Sequence, residues 1–406
     1  MSIAPPQVSS KLFGLFCLAS YLLSLSYGST FLLSLLIGSR GGNEHDAGSV
    51  ISAAMLSTFA AVIVSGHLSD LLGAARSIAL FGVLLVAASL GFALTPGFGN
   101  LLLFFGLLLG LGWGVFYTLG PIIVASLVTP AQRAKYFALL SGSMMTGIGT
   151  GPLLGRVAQG LGYPLAAAFM VAAGASLLGG LLFLLLGPKI KGQGPVTVCK
   201  ITPRAAALVL RSKAVFAIVM VGLGGAIFGG LSSFQTSYAA LNQLDYSLFF
   251  LGFMTAAISC RLLVAGFIVK RDPYLMSCLL TALIVVSVLM LMFFVSSALT
   301  YLLAAVVLGV GYGLTYSVIN GLAANEAPTG YTPQALVLFS MGYFVGVFGF
   351  PWLAGRVIVS YGMTASLWII LLIALGNWAI TLGRLVWRRS RGLAGACAVS
   401  SGSGAV

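Results

Sequence analysis

Residues 100–128 of the chain read NLLLFFGLLLGLGWGVFYTLGPIIVASLV and contain no charged side chain. A helix needs about 20 apolar residues to cross the ~30 Å hydrocarbon core of a bilayer, so this run is long enough to span one. Similar runs recur over the whole chain, in which 60% of the 406 residues are hydrophobic and 6% are charged. An ordinary soluble domain has roughly a quarter charged residues. The composition therefore excludes a water-soluble fold and indicates a membrane protein.

Twelve apolar runs predict membrane-spanning helices. They are much longer than the ~10-residue alternating strands of an outer-membrane barrel, so the expected fold class is an all-α membrane protein. The first run is too long for the core of a signal peptide and is interpreted as a retained helix. The predicted spans are residues 12–37, 48–69, 77–95, 100–128, 136–160, 164–187, 214–238, 247–269, 273–295, 299–324, 333–358 and 363–387.

The net charge of +14 does not indicate nucleic-acid binding, because the positions of the basic residues explain it. Sixteen of the 20 fall in segments predicted for one side of the membrane, whereas Arg40 falls on the other side. Arg156, Arg261 and Arg356 lie inside spans, the first and last near span ends as expected for interfacial anchors. Cytoplasmic loops carry such an excess of Lys and Arg. Both termini are therefore predicted to be cytoplasmic, and the short loops favour a bacterial inner membrane.

An internal repeat divides the chain into two halves. GLGWGVFY at residues 110–117 matches GVGYGLTY at 309–316, with three glycines and the tyrosine shared. The triplet Gly-Arg-Val at 155–157 recurs at 355–357. Parallel repeats of this kind build transporters, because two similar bundles can rock about a site at their interface. The repeated glycines are expected at that interface, where they would let helix backbones approach closely.

The segment between the two halves is polar. Residues 188–213 contain prolines, glycines and six basic residues, and they predict a cytoplasmic linker between a six-helix bundle at 1–187 and a second one at 214–387. Residues 203–213 are interpreted either as a short amphipathic helix on the membrane surface or as the frayed start of the seventh span. The glycine- and serine-rich tail, 388–406, is expected to be disordered.

The loop between spans 2 and 3 reads GHLSDLLGAAR at residues 66–76. It resembles the loop signature G-x-L-a-D-r-x-G-r-r of the major facilitator superfamily. It departs from that signature at Leu71, where a basic residue is usual, and at Ala74 or Ala75. Together with the repeat, the spans and the linker, the resemblance covers essentially the whole chain, and it implies two pseudo-symmetric six-helix bundles around a central site. The matching residues are Gly66, Leu68, Asp70, Gly73 and Arg76.

The resemblance also supplies gating candidates. It implies that Asp70 pairs across the cytoplasmic gate, the alternative being a solvated loop acid. The pattern Gly-x3-Gly-Pro-x2-Gly in span 5 is similar to a motif of the superfamily's exporters and antiporters and slightly favours export, the alternative being a bend used only in packing. The gating candidates are Gly66, Asp70, Gly73, Arg76, Arg133, Gly147, Gly151, Pro152 and Gly155.

Arg261 lies near the middle of predicted span 8, where an unpaired charge costs ~3 kcal/mol or more. It is similar to the cavity arginine of organic-anion carriers in the superfamily, such as oxalate and monocarboxylate transporters. That similarity implies that Arg261 binds a substrate carboxylate, which suits the bidentate geometry of a guanidinium. The alternative is an arginine that pairs with helix-end carbonyls or reaches the membrane surface.

Further candidates for substrate binding are polar and aromatic residues in spans 1, 4, 7 and 10, which line the cavity in the superfamily. Tyr117 and Tyr316 are repeat mates and are expected to face one another across the pseudo-twofold axis. For each residue, packing between helices is the alternative role. Besides Arg261, the candidates are Tyr27, Trp113, Tyr117, Gln235, Tyr238, Tyr316 and Asn320.

The sequence thus predicts a monomeric transporter, secondary active or facilitative, that moves a small organic solute by alternating access, with an organic anion favoured. The alternatives are a multidrug or neutral-metabolite (sugar-like) efflux permease and, less favoured, a non-transporting receptor or scaffold. All six acidic residues fall in loops or near span ends, which leaves facilitated diffusion, exchange with a counter-anion, or a proton carried with the substrate's carboxylate. The spans contain no cluster of His, Asp or Glu, so we expect neither an enzyme nor a cofactor or metal site.

The charge distribution makes a prediction about topology. Cysteines introduced at Lys191 and Arg388, in a variant without native cysteines, should both react with a membrane-impermeant thiol reagent from the cytoplasmic side only, because an even number of spans separates them from one another and from the N-terminus. Labelling of the two positions from opposite sides would contradict twelve spans.

Overall fold

A computed structural model describes residues 9–97, 99–128, 132–190, 201–268 and 271–402. Side chains are not described for residues 133, 134, 190, 265 and 391–402. The described residues are almost entirely helical and contain no β-strand. A bilayer interior offers no water to satisfy backbone groups, and a helix satisfies them within its own segment.

Twelve long helices are present among the described residues, and each coincides with one predicted span, so the predicted all-α fold is confirmed. Gly362, with φ of 84°, separates the last two. The helices are α1 Ser10–Gly38, α2 Glu44–Leu72, α3 Ala74–Leu94, α4 Asn100–Leu127, α5 Arg133–Gly160, α6 Ala166–Ile190, α7 Ala214–Ser233 with its continuation Gln235–Leu241, α8 Tyr246–Val264 with its continuation Ala265–Ile268, α9 Pro273–Phe293, α10 Ala298–Asn325, α11 332–361 and α12 363–402.

Two of the helices of the second half contain a wide π-helical turn. One is Cys260–Val264 in α8, and the other is Val345–Gly349 in α11. Such turns insert one residue into a helix and are frequent at functional sites. Because the number of spans is even, both chain ends lie on one side of the protein, called here the terminal face. The opposite side is the distal face.

The structure describes only part of the predicted linker and of the C-terminal tail. Pro203–Leu210 forms a separate short helix, whose N-terminus is capped by the Thr202 side chain accepting from the Ala205 backbone N–H at 3.2 Å. It is thus a distinct helix, not the frayed start of α7. Residues 191–200 of the predicted linker lie outside the described residues. The backbone of residues 388–402 continues α12 as helix, and the disorder expected for the tail 388–406 stays a prediction.

The glycines of the repeat bring helices together within each half. A Cβ atom on Gly110 would overlap the Ala54 carbonyl of α2, and one on its repeat mate Gly309 would overlap the Phe253 carbonyl of α8. The contact between α4 and α2 is therefore repeated between α10 and α8. The expectation that the repeated glycines lie between the two bundles is therefore wrong for Gly110 and Gly309, which pack helices inside each bundle, whereas Gly355 of the Gly-Arg-Val repeat packs on the Glu44 backbone of α2, between the bundles.

Close glycine contacts also join α1 to α5 in the first half and α7 to α11 in the second. A Cβ on Gly28 of α1 would overlap the Ile148 carbonyl of α5, and one on Gly346 of α11 would overlap the Gly222 carbonyl of α7. Lipid tails are as apolar as the side chains, so helices in a membrane associate through close packing and not through exclusion of water. Equivalent small-residue contacts in the two halves are the structural basis of the pseudo-symmetry.

Two glycines in α10 make a matched test of this packing. Gly309→Ala should lower the thermal unfolding temperature in detergent by several degrees, because the new methyl group cannot fit against the Phe253 backbone and overpacking costs about 1–3 kcal/mol. Gly321→Ala is the control, since nothing lies within 4 Å of its Cβ position. Equal unfolding temperatures for the two variants would contradict the assignment.

Candidate functional site

A cavity of about 520 Å³ lies between the two halves. It is lined by α2, α4 and α5 of the first half and by α8, α10 and α11 of the second, and no residue of α1 or α7 is among the described lining residues. The lining residues come from the later parts of α4, α8 and α10 and the earlier parts of α5 and α11. These parts all lie toward the terminal face. The cavity therefore occupies the terminal half of the protein.

Arg261 is the charged residue among the described residues of the cavity wall. It lies in the π-helical turn of α8 with only 7% of its surface exposed. Its Nε donates to the Gly313 carbonyl of α10 at 3.1 Å, and Nη1 donates to the Ser141 hydroxyl of α5 at 2.6 Å. The guanidinium carbon lies 5.5 Å from the centre of the Tyr316 ring. No described carboxylate is within ion-pair distance of it.

Tyr117 and Tyr316 meet across the cavity, as the repeat predicts. Their hydroxyl oxygens are 2.7 Å apart, which joins α4 of the first half to α10 of the second. Tyr343 of α11 packs beside both, with ring centres 6.2 Å from Tyr117 and 5.7 Å from Tyr316. The three side chains form an aromatic wall next to Arg261.

A second group of aromatic residues closes the deep end of the cavity, toward the distal face. Trp113 lines it, and Tyr27 of α1 stacks on Trp113 at 4.7 Å between ring centres, so Tyr27 lies behind the wall and not on it. Phe348 of α11 packs edge-on against Tyr27 at 5.4 Å. Rings from both halves are therefore in contact at this level.

The walls contributed by α5 and α11 were not predicted from the sequence. The lining residues of each helix follow helical spacing, but most of them are as apolar as the other faces of the helix, so periodicity did not mark them. Two of them are the neighbouring methionines Met144 and Met145, whose flexible side chains suit a variable apolar ligand. The residues missed on these two helices are Phe137, Leu140, Ser141, Met144, Met145 and Ile148 on α5, and Pro333, Leu336, Val337, Ser340 and Tyr343 on α11; those missed on other helices are Val62, Thr118, Pro121, Ile122, Ala125 and Tyr312.

The remaining predicted binding residues divide between the cavity and other places. Asn320 lines the cavity, whereas Gln235 and Tyr238 line a separate void of about 10 Å³ inside the second half. The Tyr238 hydroxyl donates to the Leu291 carbonyl at 2.7 Å. Both residues were predicted because span 7 lines the cavity in the superfamily, but here they face the interior of their own bundle.

Contacts between the halves close the distal side of the cavity. Arg156 of α5 pairs with Asp245, the residue before α8, with Nε and Oδ2 2.6 Å apart. Next to them, the Tyr246 hydroxyl donates to the Gln159 side chain at 3.3 Å. Arg156 is therefore more than an interfacial anchor, while its repeat mate Arg356 lies over the Trp352 ring of its own helix.

The other edge of the distal closure is a backbone contact between α2 and α11. A Cβ on Gly48 would overlap the Pro351 carbonyl. The Ser52 hydroxyl donates to the Phe348 carbonyl at 2.6 Å, and the Trp352 backbone N–H donates to Ser52 at 3.1 Å. This contact and the Arg156 pair together form what we call the distal seal.

Asp245 is held in its ionised form. Burial raises the pKa of its carboxyl, but hydrogen bonds from the Ser247 side chain and backbone and from Arg156, together with the charge of Arg156, outweigh burial and lower the pKa below its ordinary value. A group whose pKa is lowered in the folded state contributes stability above its ordinary pKa and loses it as the pH falls through the lowered value. The pair should therefore persist over roughly pH 5–8.

The protein thus consists of two helical bundles with a cavity between them that is sealed on the distal side. The family model described as "Major Facilitator Superfamily" matches residues 13–351. The chain belongs to the major facilitator superfamily. A comparison with curated protein sequences gives no significant match.

Solved structures of superfamily transporters are similar to this chain over nearly its whole length. The human organic anion transporter MFSD10 (TETRAN) is 17% identical, with a TM-score of 0.69 over 93% of this chain and 100% of that chain. A peptide transporter, POT, is 19% identical, with a TM-score of 0.74 over 93% and 96% of the two chains. At these identities the likeness shows the fold and not the substrate.

The residues that match the superfamily's loop signature lie on the terminal face, at the junction of α2 and α3. Gly73 separates the helices with φ of 84°, a conformation that glycine adopts without strain. Gly66 is buried, whereas Asp70 and Arg76 are exposed. The side chain of Arg133 is not described. Their gating role stays a prediction.

The glycine and proline pattern of span 5 lies on the face of α5 that packs against α1. Cβ atoms on Gly147 and Gly151 would overlap the backbone of α1, and one on Gly155 would lie 2.6 Å from the Leu32 side chain. Pro152 follows Gly151 inside the helix. These residues therefore set the packing inside the first bundle, and a role in gating or export stays a prediction.

The distal seal can be tested through its ion pair. Arg156→Ala should raise labelling of Met254→Cys by an impermeant thiol reagent from the distal side, because Met254 lies against Gly149 beneath the seal. The pair is half exposed, so we expect at most about a fivefold increase, equivalent to ~1 kcal/mol. The ratio of labelling rates with and without Arg156→Ala should not change between about pH 5 and 8, although both rates rise with pH because the thiolate is the reacting form.

The matched control for that experiment is Arg356→Ala. Arg356 is the repeat mate of Arg156 but contacts a ring of its own helix and not the other bundle. An equal increase in labelling for the two variants would contradict a specific role for the Arg156–Asp245 pair.

Proposed function

We propose that this superfamily member transports a small organic monoanion by alternating access, with Arg261 as the counter-charge for the substrate. The supporting observation is a guanidinium that is 93% buried at the wall of a cavity between the bundles, without a carboxylate partner among the described residues. A buried charge without a partner is costly. An anionic ligand would neutralise it.

None of the protein's own six acids, all of which are described, lines the cavity. Glu326 pairs with Arg384, and Asp272 pairs with Arg388 at 2.5 Å, both at the terminal ends of helices in the second half. Asp245 lies in the distal seal. The others are Glu44, which accepts from Ser237, Asp46, which caps α2, and Asp70 at the terminal end of α2. A carboxylate near Arg261 would therefore come from the substrate.

Arg261 retains hydrogen-bonding capacity for that carboxylate. A guanidinium has five N–H donors, and the described contacts to Gly313 and Ser141 use two of them. These two contacts fix the side chain from both halves, which holds the remaining donors in a defined orientation. Arginine with a fixed orientation suits bidentate binding of a carboxylate.

The rest of the wall suits an apolar body attached to that charge. Met144, Met145 and Ile148 face Leu336 and Val337 across the cavity. Small-molecule sites in proteins are commonly apolar with a few placed polar groups. A compact monocarboxylate with an aromatic or aliphatic body fits this combination better than a sugar, which would need many hydrogen-bonding groups.

Sidedness follows from the basic residues. We propose that the terminal face, with both termini, is cytoplasmic in a bacterial inner membrane, so that the structure is the state open toward the cytoplasm with the distal seal closed. Export is proposed from the similarity of the α5 pattern to that of exporters. Without a membrane-embedded carboxylate among the described residues, coupling would use a counter-anion or a proton bound by the substrate.

A second candidate is a multidrug or neutral-metabolite efflux permease. The adjacent methionines Met144 and Met145 favour it, because flexible thioether side chains adapt to varied apolar ligands. In that case Arg261 would serve only to join α8 to α5 and α10 through its hydrogen bonds.

The two candidates differ in the effect of Arg261→Gln. If the substrate is an anion, uptake of labelled monocarboxylates such as benzoate into proteoliposomes should fall at least about 30-fold, since loss of a buried charged partner costs ~2 kcal/mol or more. Ser141→Ala is the control, because it removes one hydrogen bond of Arg261 without removing the charge, and it should retain most uptake.

Undiminished anion flux in Arg261→Gln would contradict the proposal. Uptake of uncharged apolar compounds by that variant, with no flux of any anion in the wild type, would favour the multidrug candidate. Thermal unfolding of each variant shows whether a loss of flux comes from a loss of folded protein.

A further inference from the structure

Two tyrosine hydroxyls near the deep end of the cavity lack a hydrogen-bond partner among the described residues. Tyr312 lines the cavity with 4% of its surface exposed, and its Oη is buried and unpaired. Tyr27 lies behind Trp113, is equally buried, and its Oη is also unpaired. Leaving a buried hydroxyl unpaired costs free energy. A polar group in the cavity would remove that cost.

The two hydroxyls converge on a third. The Oη atoms of Tyr27 and Tyr312 both face that of Tyr343, but without the geometry of a full hydrogen bond. Tyr343 also lines the cavity. Tyr27 belongs to the first half and the others to the second, so tyrosines from both bundles meet at one place, and two of their three hydroxyls are unpaired.

This place lies at a defined spacing from the charge. Arg261 is over the ring of Tyr316, and Tyr312 precedes Tyr316 by four residues on α10, or about 6 Å along the helix axis. Tyr312 is on the deep side of that level, toward the distal seal. A ligand with its carboxylate at Arg261 would therefore direct its far end to the tyrosines.

The character of the far group follows from the charges of the wall. Besides Arg261, the described lining residues carry no charge, so a second ionised group would be buried without a partner. A tyrosine hydroxyl both donates and accepts hydrogen bonds. The matching group is a neutral hydroxyl or carbonyl.

We propose that Tyr312 and Tyr343, supported by Tyr27, form a second polar subsite that binds a neutral hydroxyl or carbonyl group of the transported anion, roughly 6 Å from its carboxylate. The inference rests on the proposed function and narrows it to organic monoacids with a hydrogen-bonding group at the end opposite the carboxylate. A hydroxylated aromatic acid has this spacing and an apolar body between its two polar ends.

Benzoate and 4-hydroxybenzoate test the subsite, because they differ only in that far hydroxyl. Dissociation constants measured by calorimetry on the purified full-length protein should be about tenfold lower for 4-hydroxybenzoate, equivalent to ~1.4 kcal/mol. In Tyr312→Phe this preference should fall to about twofold or less, because the affinity for 4-hydroxybenzoate should fall much more than the affinity for benzoate. Loss of the preference without loss of benzoate binding is a result that general damage to the fold would not produce.

Tyr301→Phe is the matched control. Tyr301 lies on the same helix, is fully buried, and its hydroxyl is also unpaired, but it does not line the cavity. It should keep the full preference for 4-hydroxybenzoate. If Tyr301→Phe and Tyr312→Phe change the preference equally, the subsite is not at Tyr312.

The outcomes separate this inference from the function on which it rests. If benzoate binds in the wild type and not in Arg261→Gln, but 4-hydroxybenzoate binds no better, the subsite is overturned and the anion site stands. If a panel of aliphatic and aromatic monocarboxylates, these two included, does not bind the wild type, both are overturned. A preference that survives in Tyr312→Phe also overturns the subsite.

Discussion

Close contact between helix backbones is the constraint on which the rest of this structure depends. In a bilayer the helices gain nothing by leaving one apolar environment for another, so they associate where their backbones can touch. Gly110 and Gly309 provide such contacts at equivalent crossings, and Gly28 and Gly346 provide them at another pair. These contacts hold the helices of each half together. The boundary between the halves carries the cavity, Arg261 and the Arg156–Asp245 pair.

The fold could be predicted from the sequence because the features that specify it can be seen along the chain without knowing any contact between distant residues. The number of apolar runs long enough to span a bilayer gives the number of helices, and the match between residues 110–117 and 309–316 indicates that the two halves are duplicated. Arg261 could be singled out for a similar reason, since a charge in the middle of an apolar run is visible without coordinates. Its two hydrogen-bond partners could not be, because Ser141 and Gly313 are ordinary residues of distant helices.

The composition of the cavity was less predictable because it depends on how each helix is rotated. A helix in a membrane is apolar on all sides, so hydrophobic periodicity does not mark the face that lines a cavity. Met144 and Tyr343 line it, whereas Gln235 and Tyr238 face the interior of one bundle. The superfamily's span 7 and the polarity of the side chains suggested the last two, and in this state α7 is rotated so that they face a void inside their own bundle; their role in binding stays a prediction. The position of Tyr27 behind Trp113 has the same cause.

The π-helical turn of α8 breaks the symmetry of the two halves. Ala54 and Phe253, 199 residues apart, make equivalent contacts before the turn, and a π-helical turn adds one residue to the helix after it. By the spacing before the turn, Val62 of α2 is the counterpart of Arg261, and it too lines the cavity. A ligand bound to the guanidinium would then be attached to α8 of the second bundle, and the first bundle, which holds the same guanidinium through the Ser141 hydroxyl, would have to give up that hydrogen bond if the two bundles moved apart.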